Sequence, residues 1–174
     1  DSNLVIFNLK TATENGKTIL YVLNAEEKIK ITVVAVTKDS VNFSMPVFES
    51  TFKSKRNPDG SLQGVWIKGT GGVFQYWPFF AFPQQPFRFI KTLGKAATNI
   101  SGKWDVTITR ANGTLRKAVA IFNQQKDKLT GTFLTPSGDY RYLEGIVTGD
   151  SLKLSTFDGA HAYAFYAKKK KEKN

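Results

Sequence analysis

The chain has 174 residues and no cysteine, a length that suits one domain and a composition that excludes a disulfide framework, a zinc–thiolate site and a thiol nucleophile within it. Hydrophobic residues make up 41%, enough to build a core, and no apolar run approaches the ~20 residues of a helical membrane span. Net charge is +11, but the run KKKKEK at 168–173 supplies +4 of it and the rest is spread among apolar neighbours, a solvated strand face rather than a nucleic-acid footprint, with an anionic, phosphate-rich partner as the second reading.

The first residue is Asp1, so the chain is expected to be a processed product or a cut fragment whose targeting segment is gone. Period-two alternation then marks strands over 4–10, 18–24, 27–36, 40–44, 48–54 and 62–68. Turn signals separate them at Asn15-Gly16, Lys38-Asp39 and Asn57-Pro58-Asp59-Gly60. Residues 69–90, GTGGVFQYWPFFAFPQQPFRFI, break the pattern. Pro78, Pro83 and Pro86 among so many rings predict an irregular or short-stranded crossover. Those rings either plug one barrel end or form the lip of a ligand cavity. Alternation resumes over 102–110, 116–124, 128–134, 139–149, 151–155 and 161–168. Asn112-Gly113, Pro136-Ser137-Gly138 and Gly149-Asp150 supply the turns.

The expected fold is all-β, an antiparallel barrel or strongly curved sandwich of about ten to twelve strands, calycin-like and built from two similar halves. One domain covers 1–174, with half-repeats at about 1–68 and 102–174 joined by the aromatic and proline-rich 69–101. TILYVLN (18–24) aligns with KAVAIFN (117–123), and KDSVNF (38–43) with GDSLKL (149–154). The second copy is longer, and the extra length matches 125–136. It also lacks a counterpart of 62–68, so the chain is expected to stop short of its domain end. The strand at 161–168 should then lie at a sheet edge or close the barrel against the N-terminal half.

Candidate chemistry is sparse. His161, the only histidine, sits near Asp158 and Ser155. Neighbours on one hairpin rarely reach triad geometry, so Asp158-Gly159 is read as a turn and His161 as the start of a strand. One His, no Cys and scattered carboxylates exclude a transition-metal site. The stretch TPSGDYRYLE (135–144) would place Tyr140, Tyr142 and Glu144 on one strand face, with Arg141 and Leu143 on the other. It reads as a structural polar network or as a binding site. Candidate binding residues are Trp66, Tyr76, Trp77, Tyr140, Arg141, Tyr142, Glu144, Asp158 and His161. No catalytic residue, metal or cofactor is expected.

GTFLTPSGDYRYLEGIVTGDSLKLSTFDGAHAYAF (131–165) closely resembles a region upstream of the thioredoxin domain in TlpA-like thiol-disulfide oxidoreductases of bacterial envelopes. GKWDVTI (102–108), AIFNQ (120–124), DSVNFSMPVFES (39–50) and LQGVWIK (62–68) extend the resemblance over most of the chain. It implies a non-catalytic N-terminal accessory or docking domain, in the periplasm or cell envelope, tethered to a membrane through a removed N-terminal segment. Its partner would be a covalently linked thioredoxin-like domain or a protein substrate. The family's Cys-x-x-Cys pair is absent here, so no catalytic residue carries over. The alternative is a β-barrel that binds a small apolar or aromatic ligand.

Overall fold

The computed structural model describes residues 4–89 and 95–168; the lysine run from 169 onwards lies outside them. Its described residues form antiparallel strands and no helix. The first three strands, β1 (Asn8–Glu14), β2 (Lys17–Asn24) and β3 (Glu27–Ile31), make one meander. The next five, β4 (Val33–Val36), β5 (Ser40–Ser44), β6 (Ser50–Arg56), β7 (Leu62–Thr70) and β8 (Val73–Ala81), make a second sheet in chain order. The remaining strands are β9 (Gly102–Thr109), β10 (Leu115–Gln125), β11 (Lys128–Thr135), β12 (Gly138–Asp139), β13 (Leu143–Thr148), β14 (Ser151–Phe157) and β15 (Ala162–Lys168). They form the third sheet in the order β15-β14-β13-β11-β10-β9, with β12 beside β11. The all-β, antiparallel architecture is as expected; among the described residues it takes the form of fifteen strands in three sheets, and no ladder closes any sheet on itself.

Several expected elements shift for local reasons. Asn15 and Gly16 both have positive φ, 49° and 73°, which is the type I′ turn of a two-residue hairpin. That turn pairs Glu14 with Lys17 and draws the first strand to Asn8–Glu14, although TATE shows no alternation. The expected strand 27–36 breaks at Thr32, where β3 pairs with β2 and β4 turns to β5. Such a change of partner makes the corner between two sheets. The strand expected over 139–149 is also interrupted, because Tyr142 takes a φ of 55°, and a bulky residue in that region cannot continue a strand.

The largest correction concerns 69–90. Val73–Ala81 is one continuous strand, not a crossover. β8 is the last strand of its sheet, and Pro78 is tolerated there because an edge strand has a side that needs no N–H. β3 and β11 each follow a two-residue connection from the preceding strand, and the short β12 pairs with β11 alone.

Two cores result. Leu20, Val22, Ile31, Phe43, Phe52 and Phe79 anchor the first, between the β1–β3 and β4–β8 sheets. Ala120, Phe122, Leu129, Phe133, Leu143 and Leu154 anchor the second, inside the third sheet. Phe157 crosses over: it ends β14 yet is buried in the first core, stacked on Phe7 at 4.5 Å and edge-on to Trp66 at 5.2 Å.

Candidate functional site

The inward faces of β1, β2, β5, β7 and β8 do not fully close over the first core. They leave an open cleft of about 1160 Å³. Leu9, Leu20, Val41, Phe43, Leu62 and Ala81 form its apolar floor. Alternation explains why they converge: residues of one parity on each strand face the core, and Leu62 and Ala81 are direct cross-strand partners. The segment after β8, Phe82 to Pro86, forms a wall. Its prolines prevent it from continuing the ladder. Lys10 and Arg56 border the cleft as well, and neither forms an ion pair among the described residues.

The far end of the cleft is polar. Glu144 Oε2 accepts the Ala25 N–H at 2.6 Å, and Oε1 lies 3.3 Å from Lys128 Nζ. Behind the same strands Arg88 is buried, with one guanidinium nitrogen donating to the Ser155 carbonyl at 3.0 Å and another to the Leu23 carbonyl. Its Nε donates to Asn8 Oδ1 at 3.2 Å. Burial pushes this guanidinium down to about 10, and the charge of Glu144 works against that shift. Arg88 thus stays cationic at neutral pH and is satisfied mainly by carbonyl oxygens, which lets it hold β1, β2 and β14 together.

Of the expected binding residues, Glu144 alone lines the cleft. Trp66 is a core member: its indole N–H donates to Ser50 Oγ at 2.8 Å and its ring stacks on Trp77 at 4.7 Å. Tyr76 faces solvent on β8. Tyr140 packs edge-on against Tyr163 and Phe165, while the Arg141 guanidinium lies 5.2 Å from the centre of the Tyr142 ring. The left-handed Tyr142 breaks the alternation that would have put Tyr140, Tyr142 and Glu144 on one face.

Asp158 and His161 lie in the turn between β14 and β15. Asp158 Oδ1 accepts the backbone N–H groups of Ala160 and His161 at 2.8 and 2.7 Å, and Oδ2 lies 2.9 Å from His161 Nδ1. The Ser155 hydroxyl instead donates to the Ile6 carbonyl and accepts from Arg88 at 3.3 Å. No hydrogen bond joins Ser155 to His161 among the described residues, so the two sit in separate networks.

Sequence reasoning passed over Arg88, Asn24, Lys10 and Arg56. A lone arginine between Phe87 and Phe89 was the available signal for Arg88, because a charge inside an apolar run needs a buried partner set or an exit to solvent. No protein-family model, curated protein or solved structure matches the chain, and none identifies it as a TlpA-like protein.

Proposed function

We propose that the protein is a binding module, not itself an enzyme, that takes a small apolar or aromatic molecule into the cleft above the first core. The supporting observation is the cleft's volume of about 1160 Å³ over an apolar floor, against the ~300 Å³ at which ligand pockets begin. In this reading the β1–β8 strands act as a calycin-like barrel in outline, with the cleft as its mouth. Lys10 and Arg56 would favour a ligand with a negative end. The test is displacement of a fluorescent apolar probe from the whole chain, repeated on Leu62→Trp, which fills the floor. Binding lost in a variant of unchanged circular dichroism supports the reading. A wild-type chain that takes up no apolar probe overturns it.

A second reading makes the chain the accessory domain of an envelope thiol-disulfide oxidoreductase, docking a linked thioredoxin-like domain or a protein substrate. The long resemblance over 131–165 favours it, a stretch that spans β12 to β14 whole. Because the chain holds no cysteine, its own rate of insulin reduction by dithiothreitol should equal the uncatalysed rate. An appreciable rate enhancement by the isolated chain would remove this reading's division of labour.

A further inference from the structure

The outer face of the β4–β8 sheet ends in an aromatic strip that the cleft does not use. Trp77 and Phe79 face the core side of β8, so Phe74, Tyr76, Pro78 and Phe80 share the other face. Val65 and Ile67 stand opposite Pro78 and Tyr76 on β7. Tyr76 is 64% exposed and Phe80 52%. At one end of the sheet the turn after β5 meets β7, where the Gly69 N–H donates to the Glu49 carbonyl at 2.6 Å. Single exposed apolar side chains are ordinary on a protein surface, but a contiguous run of them marks a contact surface.

Backbone geometry says how this surface recruits. Gly71 and Gly72 have φ of 58° and 83°, a type I′ turn, so Thr70 and Val73 exchange hydrogen bonds. Phe74, Tyr76, Pro78 and Phe80 then occupy the non-hydrogen-bonded pairs, and their backbone groups point to the free edge. Pro78 has no N–H to offer there. A strand from another protein or from a second copy would lose that bond, so the edge is blunted against strand addition. The side chains remain as the means of docking.

Charge then selects the partner. Lys53 and Lys55 lie exposed on the same face of β6, opposite Val65 and Gln63 of β7. One carboxylate, that of Glu49, rests over Gly69, the cross-strand partner of Phe74. The whole chain carries +11. One amphipathic tyrosine between two apolar phenylalanines, beside lysines, matches the interface of an anionic bilayer, where the tyrosine sits at headgroup depth, the phenylalanines enter the acyl boundary and the lysines meet phosphates. We infer that this face docks on an anionic lipid surface through Phe74, Tyr76 and Phe80, with Lys53 and Lys55 contacting the headgroups.

The experiment floats the whole chain with vesicles of phosphatidylcholine alone and of phosphatidylcholine with about one-third phosphatidylglycerol. Wild type should float with the anionic vesicles and stay behind with the neutral ones. Phe74→Ser with Tyr76→Ser, and separately Lys53→Glu with Lys55→Glu, should each lower the bound fraction about tenfold or more. All four side chains are exposed, so both variants should keep the wild-type circular dichroism. Wild type that stays behind with anionic vesicles, or a Phe74/Tyr76 variant that floats like wild type, overturns the inference. Equal flotation with neutral vesicles does so too. So does a dimer by light scattering that the Phe74/Tyr76 variant loses, since the strip would then join two copies.

Discussion

The side chain of Asn24 pairs with the backbone of Phe157 as a neighbouring strand would. Its Nδ2 donates to the Phe157 carbonyl at 2.8 Å, and its Oδ1 accepts the Phe157 N–H at 3.2 Å. Asn24 is fully buried, so water cannot replace either bond. Asn24→Ala should therefore cost about 2–4 kcal/mol, the penalty for two unpaired buried groups. Urea unfolding followed by tryptophan fluorescence measures it. A loss under about 0.5 kcal/mol would show that the pairing is dispensable.

Arg88 makes the parallel prediction for the other side of the same junction. Arg88→Ala removes the guanidinium that donates to the carbonyls of Leu23 and Ser155 and should destabilise by about 3 kcal/mol or more. Arg88→Lys should rescue little, because an ammonium lacks the fork that reaches both oxygens at once. Thermal melts of the two variants compare directly. A lysine variant melting with wild type would mean that charge alone suffices there.

Glu14 supplies a pH-dependent prediction. Hydrogen bonds from Lys30, and next from Tyr21, hold its carboxyl below the ordinary 4.5. A carboxyl with a lowered folded pKa favours folding when ionised. Its contribution is present above the unfolded value and fades as pH falls through the folded one. Carbon-13 NMR of the carboxyl should give a midpoint under 4.5, moving back towards it in Lys30→Met. Equal midpoints in the two proteins would dissolve the proposed pairing.

Gly145 tests how tightly the third sheet is curled. A Cβ added there would run into the backbone carbonyl of Lys153 on β14, and neither backbone can yield without breaking the ladder. Gly145→Ala is expected to cost more than about 2 kcal/mol, well above the effect of a new methyl in open space. Gly113→Ala makes a useful comparison, since its obstacle is a φ of 81° with nothing within 4 Å of the new atom. The two substitutions should differ in sheet content by circular dichroism, Gly145→Ala losing more.

How far the molecule could be read from its residues varies by element. Alternation and Gly-containing turns exposed nearly every strand, because one face of each is buried and the other is not. β8 escaped because Pro78 within it, with Pro83 and Pro86 just after it, weighs against a central strand, and nothing in a local window says that a strand will be the last of its sheet. The cleft was only partly legible. Its floor residues, such as Leu20 and Phe43, look like any core residues, since whether neighbouring strands close over them is a property of the sheet. Glu144 stands out in the crowded polar and aromatic run 135–144, but Tyr140 of the same run is absorbed into packing, and so is Trp66. Asn24 gives no warning at all: an asparagine at a strand end ordinarily belongs to a turn.

Phe157 carries a consequence for how the protein is made. The first core needs that ring, and it stands 105 positions after Phe52, which it meets edge-on at 5.8 Å. At ~5–20 residues per second, a ribosome takes roughly 5–20 seconds to bridge that gap. During that interval Phe43 and Phe52 are already outside the exit tunnel, joined early by Trp66, with one side of their core still missing. The nascent chain therefore presents a sticky, incomplete half to its surroundings. Slowing translation between the codons for Phe52 and Phe157 should raise its dependence on holdase chaperones, because completion of the first core waits on β14 to emerge.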